Sequence, residues 1–302
     1  MWSRRDVVTY GLAGVGLAAT APSVLMRVAA AQGSRSDNLR IPITMCHGIT
    51  DRLTLDRFEE YLRIARELDF STINYDQLYD WLTGDGTLPA RPLMIDVDHP
   101  VASAPADMLP LMERYGFIGN LFVNTGYFEQ RCGVDGTPSL CAAWDQIREL
   151  RDAGWTIGAH THSHPNLSEL SVTDPDGEAI RAEMDTNDAL IEEQVGVRPL
   201  YFAFTGNRKG STWSTVADRE ARRRYRLGRL WIIGGECEVD GEVRRYADFI
   251  GAAGPDEADG GPPHAVRYIT RETPLFRLPS MEMEYLIYEP EAFRQYLTLA
   301  LA

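Results

Sequence analysis

Half of the histidines in this 302-residue chain lie within five positions. His160, His162 and His164 alternate with small hydroxyl residues, and the whole sequence contains six histidines. A chance run of this kind is expected on the order of 0.002 times per chain. Because His160 and His164 are one turn apart, both imidazoles can face one divalent ion at ~2.0–2.1 Å. His162 is expected to point elsewhere, in a supporting or structural role.

A pair of acids supplies the ligand type that two histidines lack. The apolar run that starts at residue 92 ends in Asp96 and Asp98, separated by one valine. Side chains two positions apart on an extended segment lie on one face, so the two carboxylates can share a pocket. A carboxylate commonly joins two histidines around a zinc-like ion that keeps one position open for water. Two acids at a strand end are also common as a solvated turn, but the histidine cluster favours the functional interpretation.

The elements that position these groups follow from the alternation of short apolar runs with helical patterns. The main expected strands cover residues 41–45, 92–97, 117–123, 155–159, 200–204 and 227–233, and long helices are expected at 54–68 and 178–195. This alternation predicts βα units in a barrel-like α/β domain of about seven strands. Chemistry in such folds lies at the carboxyl ends of the strands, where both motifs stand.

Both motifs resemble those of the polysaccharide deacetylases, carbohydrate esterase family four, also called the NodB-homology family. The resemblance covers roughly residues 41–210. The first motif of that family is usually T-F-D-D-G, and residues 95–99, I-D-V-D-H, are similar to its D-x-D variant. The second motif, H-[ST]-x-x-H, is matched at residues 160–164.

The resemblance implies an α/β fold of the distorted (β/α)7 barrel type and a metal-dependent active centre. By this likeness, Asp98, His160 and His164 hold the metal and Asp96 is the general base. Zinc is the expected ion for such ligands, although cobalt or nickel would fit the same set. His99, where the family has glycine, is a departure that could narrow the site or change what binds.

The branch of extracellular poly-N-acetylglucosamine deacetylases shows the closest likeness. Its members carry an early M-Y-H strand, and residues 45–47 read M-C-H. Since no late L-x-x-H motif is present, the resemblance makes His47 the candidate general acid. A satisfied core histidine is the alternative interpretation of His47, and His264 is a weaker candidate for the acid.

A third motif region begins at Arg198. Residues 202–206 read F-A-F-T-G where this branch often has F-A-Y-P-x-G, so Phe204 and Thr205 depart from the pattern. The resemblance implies that the backbone amide at Phe204 helps to bind the oxyanion. Arg198 and Phe204 are therefore the expected substrate-binding residues.

The implied function is that of a hydrolase acting on a non-peptide carbon–nitrogen bond. Its substrate would be the N-acetyl groups of a polysaccharide or oligosaccharide that contains N-acetylglucosamine. One alternative is a metal-dependent amidohydrolase of the same superfamily acting on a non-glycan amide. A catalytically inactive glycan-binding protein is a further alternative, against which the intact acid and histidine set argues.

Composition and charge limit the partners. With 44% apolar and 25% charged residues, the chain has the mix of a folded soluble protein. Its formal net charge of −14 would repel phosphates, which argues against nucleic acid as a partner. An acetylated glycan is the partner that the resemblance implies.

The amino-terminal segment 1–31 has the layout of an export signal. Arg4 and Arg5 precede the uncharged stretch 7–26, and three alanines at 29–31 provide a cleavage pattern. We expect a twin-arginine signal, a linker at 32–40 and a catalytic domain at 41–302, in a periplasmic or extracellular protein. A retained membrane anchor is the alternative, because about 20 apolar residues can span a bilayer.

Four cysteines must be interpreted for an oxidising compartment if the protein is exported. Cys132 and Cys141 bracket a Gly/Asp/Pro loop, and a disulfide between them is one of two open possibilities. Cys46 and Cys237 are expected to be small core residues or to form a second bridge. The spacing of the four cysteines does not indicate a cysteine-ligated metal.

Overall fold

The computed structural model describes residues 38–84, 86–132, 140–233, 236–249, 268–285 and 287–302. The expected export signal, residues 32–37 of the linker, His264 and the interior of the loop between Cys132 and Cys141 lie outside the described residues. Within the described ranges, no helix is both long enough and apolar enough to cross a membrane.

Seven parallel strands form a closed barrel. They are β1 (Ile41–Cys46), β3 (Pro92–Asp98), β4 (Asn120–Val123), β5 (Thr156–Ala159), β6 (Tyr201–Ala203), β9 (Leu227–Ile232) and β13 (Leu278–Glu282). The ring runs β1-β13-β9-β6-β5-β4-β3 and closes because β3 also pairs with β1, with Thr44 opposite Ile95. The predicted (β/α)7 barrel is confirmed.

Shorter strands extend and cap the barrel. Strand β2 (Ser71–Thr72) runs parallel to β3, and β12 (Tyr268–Ile269) runs antiparallel to β1. A separate four-stranded sheet contains β7 (Gly206–Asn207), β8 (Gly210–Trp213), β10 (Glu236–Val239) and β11 (Glu242–Arg245). This sheet follows the carboxyl ends of β6 and β9 along the chain, so its loops reach the end of the barrel where the motifs lie.

Helices cover the outside of the barrel. They are α1 (Leu55–Glu67), α2 (Tyr75–Thr83), α3 (Leu109–Tyr115, continuing a π-helical turn at Ala104–Met108), α4 (Tyr127–Arg131), α5 (Trp144–Asp152), α6 (Leu167–Thr173), α7 (Glu178–Val195), α8 (Thr215–Arg222), α9 (Tyr246–Phe249) and α10 (Pro290–Ala300). The polar residue before a helix often fixes its start: the side chain of Asn74 accepts from the backbone of Gln77, and Gln77 bonds back to Asn74. Gly84 ends α2 at φ 100°, a conformation that glycine adopts without strain.

Strand alternation divides the core into two layers. In β3, Leu93, Ile95 and Val97 point outward into the core beneath the helices, whereas Met94 joins the apolar residues inside the barrel. Asp96 and Asp98 have the same parity as Met94 and therefore point inward. The interior is apolar at the amino ends of the strands and becomes charged toward their carboxyl ends, where the chemistry was expected.

A disulfide joins Cys132 and Cys141, whose Cα atoms are 5.6 Å apart. The two cysteines are nine positions apart in the sequence, and the loop between them begins just after α4. Cys46 and Cys237 are free thiols and both are buried. The first pair therefore forms a bridge, and the second pair belongs to the core.

Candidate active site

A cavity of about 640 Å³ opens at the carboxyl end of the barrel. Most of its wall comes from residues at or just after strand ends, as the topology requires. The lining residues are His47, Asp98, His99, His160, His164, Phe204, Gly206, Asn207, Arg208, Trp231, Ile233, Glu282 and Tyr285. The fold thus brings His47 and the second acid of the first motif to the same space as two histidines of the second motif.

Three imidazoles converge on one side of this cavity. One ring nitrogen from each of His99, His160 and His164 lies within 4.8 Å of the others. Nitrogens around a tetrahedral zinc ion with ~2.1 Å bonds lie ~3.4 Å apart, so modest ring rotations would bring this set onto one ion. The donor set therefore fits the metal that the sequence predicts.

Hydrogen bonds fix the orientation of two of these rings. Nδ1 of His160 donates to the carbonyl oxygen of Ala203 at 2.8 Å, and Nδ1 of His99 lies 2.7 Å from Oδ1 of Asn124. Each Nε2 is then left with its lone pair toward the cavity. Metal-binding histidines usually donate their other ring nitrogen in this way, which sets the tautomer. Burial, together with neighbouring histidines, lowers the pKa of His99 to about 3 and holds the pKa of His160 well below its usual range.

Backbone strain is concentrated at the same place. Five non-glycine residues in the described part of the chain have positive φ, and His99 (66°), Thr161 (62°) and His164 (60°) are three of them. A non-glycine residue in this region costs free energy and persists only where its surroundings enforce it. The two histidine segments are therefore held in unusual conformations that aim their rings into the cavity.

The middle histidine of the second motif lies outside this group. Nδ1 of His162 is 2.7 Å from Oγ1 of Thr125, and its backbone N–H donates to Glu183 at 3.0 Å. These contacts tie the histidine loop to the turn after β4 and to α7. His162 therefore has the supporting position expected from its spacing.

The two predicted acids lie at different depths. Asp98 lines the cavity, and its Oδ2 is 3.8 Å from Nε2 of His160. Asp96 is fully enclosed beneath the cavity, where it accepts from the hydroxyl of Tyr75 at 2.7 Å and from Nδ2 of Asn120 at 3.0 Å. The structure thus separates the acid expected to be the general base from the cavity that would hold a substrate.

A fully buried arginine connects the two acids. Arg229 of β9 pairs through Nη2 with Oδ1 of Asp98, and its Nε is 3.1 Å from Oδ2 of Asp96. Its guanidinium also lies 4.7 Å from the ring centre of Phe122. Burial would raise the pKa of Asp98, but the charge of Arg229 and the nearby histidines outweigh it and lower that pKa. For Asp96 burial prevails and raises the pKa to about 7.

His47 follows β1 directly and faces the histidine cluster. It contacts two glutamates: Glu282, the last residue of β13, and Glu284, two positions later. Its Nδ1 is 3.6 Å from Oε1 of Glu282 and 3.5 Å from Oε1 of Glu284, which also accepts the His47 backbone N–H at 2.8 Å. Burial opposes a charge on His47, but Glu284, Asp98 and Glu282 outweigh it and raise the pKa of His47 to about 9. Burial beside Glu284 raises the pKa of Glu282 to about 8. The ring of His47 is 31% exposed, so it can deliver a proton to the cavity.

The structure corrects two expectations from the third motif. The backbone N–H of Phe204 donates to the carbonyl oxygen of Arg229 at 3.0 Å, so it is not free to bind an oxyanion. Phe204 is buried and forms part of the cavity wall. Arg198 is exposed and precedes β6, at the opposite end of the strand from the cavity. It lies instead beside a separate surface hollow with Asp76 and Tyr201.

Several site residues escaped the sequence analysis. Arg229 is the one charged residue in the strand LGRLWI, and a lone charge in an apolar strand is a signal that could have marked it. Glu282 and Glu284 stand two apart at the end of β13, the same pattern that drew attention to the acids of β3. Trp231 and Tyr285, which complete the rim, carry no local signal that separates them from core aromatics.

Comparisons with known proteins agree with this geometry. Residues 85–222 match the profile of the polysaccharide deacetylase family. No curated protein sequence matches the chain. The fold is similar to that of the Streptococcus pyogenes deacetylase PplD, solved in complex with acetate, with a TM-score of 0.60 and 16% identity over 86% of this chain and 99% of that one.

Two further solved structures are similar in fold. IcaB from Ammonifex degensii gives a TM-score of 0.61 and 15% identity, over 87% of this chain and 98% of that one. The deacetylase domain of BpsB from Bordetella bronchiseptica gives 0.54 and 16%, over 83% and 97%. At these low sequence identities, the solved structures show similarity of fold. The match to the family profile includes both predicted motifs. Residues 85–222 are thus similar to the polysaccharide deacetylases, and this match together with the shared fold identifies the chain as a hydrolase acting on carbon–nitrogen bonds other than peptide bonds.

Proposed function

We propose that the protein is an exported, zinc-dependent N-deacetylase that removes acetyl groups from a glycan containing N-acetylglucosamine. One observation carries this proposal. A single cavity holds the histidine cluster, Asp98 and a further histidine, His47, which contacts two glutamates. Amide hydrolysis needs a polarised carbonyl, a proton acceptor for water and a proton donor for the leaving amine. This cavity offers a group for each requirement.

A zinc ion would be held by the histidine cluster that includes His160 and His164. When bound, it would polarise the acetyl carbonyl and make a water molecule acidic enough to lose a proton near neutral pH. The protein's part is to hold the neutral imidazoles in place, which the hydrogen bond from His160 to Ala203 accomplishes. Cobalt or nickel would suit the same nitrogen donors.

Asp98 is the carboxylate in position to accept the proton of the attacking water. It lines the cavity, and its Oδ2 faces His160 while Oδ1 is held by Arg229. Asp96, the base that the sequence resemblance implied, has no place on the cavity wall and is bonded to Tyr75 and Asn120. We therefore assign the proton transfer from water to Asp98.

His47 supplies the proton for the leaving amine. As the carbon–nitrogen bond of the tetrahedral intermediate breaks, the amine nitrogen takes the proton of His47 and acetate leaves with the oxygen of water. Glu284 keeps the imidazole charged before the step, since its Oε1 lies 3.5 Å from Nδ1 of His47. The proton gained by Asp98 then returns to His47 or to solvent, and the cycle closes.

The cavity rim suits a sugar ring. Tyr285 is 50% exposed at the mouth, with the guanidinium of Arg52 4.2 Å from its ring centre, and Trp231 forms another part of the wall. Flat aromatic surfaces offer apolar contact area, while Asn207 offers hydrogen bonds to hydroxyl groups. A glycan bearing N-acetyl groups is therefore the substrate class we expect, and the similar folds of PplD, IcaB and BpsB support it.

Acetate release from a substrate panel tests the assignment. We expect release from N-acetylglucosamine oligomers and little from linear or cyclic non-glycan amides of similar size. Asp98→Asn should lower the rate by about 10²- to 10⁴-fold, as expected for loss of a general base. Asp96→Asn is the matched control, with the same chemical change one layer deeper, and should cause a much smaller loss. Turnover of a non-glycan amide instead would favour the amidohydrolase alternative, and no turnover at all the glycan-binding one.

The proposed export rests on the sequence of residues 1–31. The paired arginines, the uncharged stretch and the alanines at its end support a cleaved twin-arginine signal and a periplasmic or extracellular protein. Expression with Arg4 and Arg5 both changed to lysine should leave the protein in the cytoplasm. Amino-terminal sequencing of the exported form should find a start near residue 32, whereas an intact amino terminus in the membrane fraction would indicate a retained anchor.

A further inference from the structure

The histidine cluster contains a member that the deacetylase motifs do not include. The residues whose ligand atoms lie within 4.8 Å of one another are His99, His160 and His164, and in the described part of the chain no carboxylate joins this group. Asp98, the carboxylate that the sequence pattern offers as a ligand, has one oxygen 3.8 Å from His160 and the other on Arg229. This three-donor set is therefore composed of nitrogen alone.

Backbone and ring contacts fix the position of the His99 side chain. Its backbone has φ 66°, a conformation that carries a cost for any residue with a side chain, and its N–H donates to the carbonyl oxygen of Phe122 at 3.0 Å. Its ring stacks on Tyr127, with centroids 5.0 Å apart and planes 11° from parallel. The ring also stacks on that of His47, with centroids 5.5 Å apart. The ring is thus clamped in a position that the backbone adopts only under constraint.

The hydrogen bond to Asn124 gives the His99 ring a defined tautomer. Asn124 is 1% exposed, and its Oδ1 lies 2.7 Å from Nδ1 of His99, which leaves Nε2 free of its proton. The bond from His160 to Ala203 has the same effect on the second ring. An outer hydrogen bond that presents Nε2 is the usual arrangement for a histidine that binds a metal. Both rings therefore carry the support that metal coordination needs.

Arg229 explains why Asp98 is free for another role. A carboxylate that shares one oxygen with a buried guanidinium already has its charge balanced, and Asp98 retains only Oδ2 toward the cavity. An acceptor adjacent to the metal, rather than on it, is what proton transfer from water requires. The separation of roles between Asp98 and His99 follows from these contacts.

We propose that His99, His160 and His164 form a three-histidine metal site, in which His99 takes the ligand position and Asp98 is the proton acceptor beside it. This inference rests on the proposed function for the role of Asp98, but the identity of the ligands does not depend on the substrate. Three imidazoles would leave the fourth position of a zinc ion open to water. A three-histidine site carries no ligand charge, so the bound ion keeps its full charge for polarising a carbonyl.

Equilibrium zinc affinity tests the ligand set without any substrate. The probe is Zn²⁺ alone, added to the metal-free full-length protein in competition with a chromophoric chelator. His99→Gly should raise the dissociation constant by at least about 100-fold, and glycine suits the positive φ of this position, so folding is retained. Asn124→Ala should raise it by about 10- to 100-fold through the lost support. Unfolding curves of the metal-free variants confirm that each is folded.

Matched variants separate the two roles. Asp98→Asn should bind Zn²⁺ within a few-fold of the unchanged protein, and His162→Ala, which removes a histidine of the same motif that lies outside the cluster, should do the same. Visible spectra of the Co²⁺ forms give a second measurement, because loss of a ligand changes the intensity of the bands. The proposal is overturned if His99→Gly keeps its affinity, or if Asp98→Asn loses as much affinity as His160→Ala. Zinc affinity that follows His99 in a protein without deacetylase activity would refute the proposed function and leave this inference standing.

Discussion

The guanidinium of Arg229 pairs with the carboxylate of Asp98 inside the barrel, immediately below the cavity. The pair joins β9 to β3, which are not neighbours in the barrel, and its arginine is fully enclosed. Because the second nitrogen of the same side chain contacts Asp96, one cation serves two buried acids. The floor of the cavity is therefore an ionic layer, and the position of Asp98 depends on it.

Removing the cation should be costly. Arg229→Leu leaves two buried carboxylates without their partner, and we expect the free energy of unfolding to fall by about 3–5 kcal/mol. Urea unfolding measures the change. Arg63→Leu is the control, since Arg63 pairs with glutamates on the surface of α1 at 50% exposure and should cost at most about 1 kcal/mol. Equal effects of the two substitutions would show that the buried pair does not organise the floor.

Loss of the proposed acid should depend on the leaving group. His47→Gln removes the proton donor, so acetate release from N-acetylglucosamine oligomers should fall by about 10²- to 10⁴-fold. Hydrolysis of 4-nitrophenyl acetate should fall far less, because nitrophenolate leaves without being protonated. The measurement compares the two rates for the unchanged protein and the variant. An equal loss on both substrates would assign His47 a role in binding or folding rather than in proton donation.

The disulfide should contribute to stability through the loop it closes. A loop of about nine residues corresponds to about 2–3 kcal/mol on chain-entropy grounds. Reduction of the protein should lower the free energy of unfolding by that amount. The variant with Cys132→Ser and Cys141→Ser should start from the lower stability and show no response to the reductant. The free thiols Cys46 and Cys237 are present in both proteins, so they do not account for a difference.

A partly buried acid away from the cavity should make stability depend on pH. Asp188 of α7 accepts from the hydroxyl of Tyr225 at 2.9 Å, and burial raises its pKa to about 7. An unfolded aspartate has a pKa of ~3.9. At pH values between ~3.9 and about 7, Asp188 therefore keeps its proton in the folded protein and loses it in the unfolded chain. The stability from this group is complete below pH ~4 and is lost as the pH rises to about 7.

Asp188→Asn should remove that dependence. Each pH unit between the two pKa values is worth at most about 1.4 kcal/mol, and partial exposure of the side chain reduces it. From pH 5 to pH 8, the variant should gain about 1–2 kcal/mol relative to the unchanged protein. Urea unfolding at both pH values provides the comparison. A difference between the two proteins that stays constant with pH would contradict the assigned pKa.

The barrel was predictable because its strands are buried on both faces and are therefore apolar throughout, between helices with a clear 3.6-residue period. The small sheet of β7, β8, β10 and β11 was not. Two of its strands have few apolar residues, and β7 has only two residues, too few to show any period. The ring closes because β1 pairs with both β3 and β13. These pairings join distant parts of the sequence, so no local pattern predicts them.

Within the site, local spacing identified the segments that line the cavity. It could not show which residue of each segment reaches the cavity. Residues two apart on a strand share a face but differ by about 6.6 Å in depth, which is why Asp98 reaches the cavity and Asp96 does not. The family pattern has two adjacent acids, whereas here the adjacent pair in the cavity is Asp98 and His99. The pairing of Asp98 with Arg229 spans 131 residues of sequence and becomes visible only in the folded chain.

The most direct test of the account is acetate release from N-acetylglucosamine oligomers by the purified protein before chelation, after chelation and after Zn²⁺ is restored. We predict release that stops on chelation and returns with Zn²⁺, with one free amine formed for each acetate. The Asp98→Asn protein, loaded with the same metal, should remain inactive throughout. A protein that binds zinc at the histidine cluster and releases no acetate from these oligomers would contradict the deacetylase assignment.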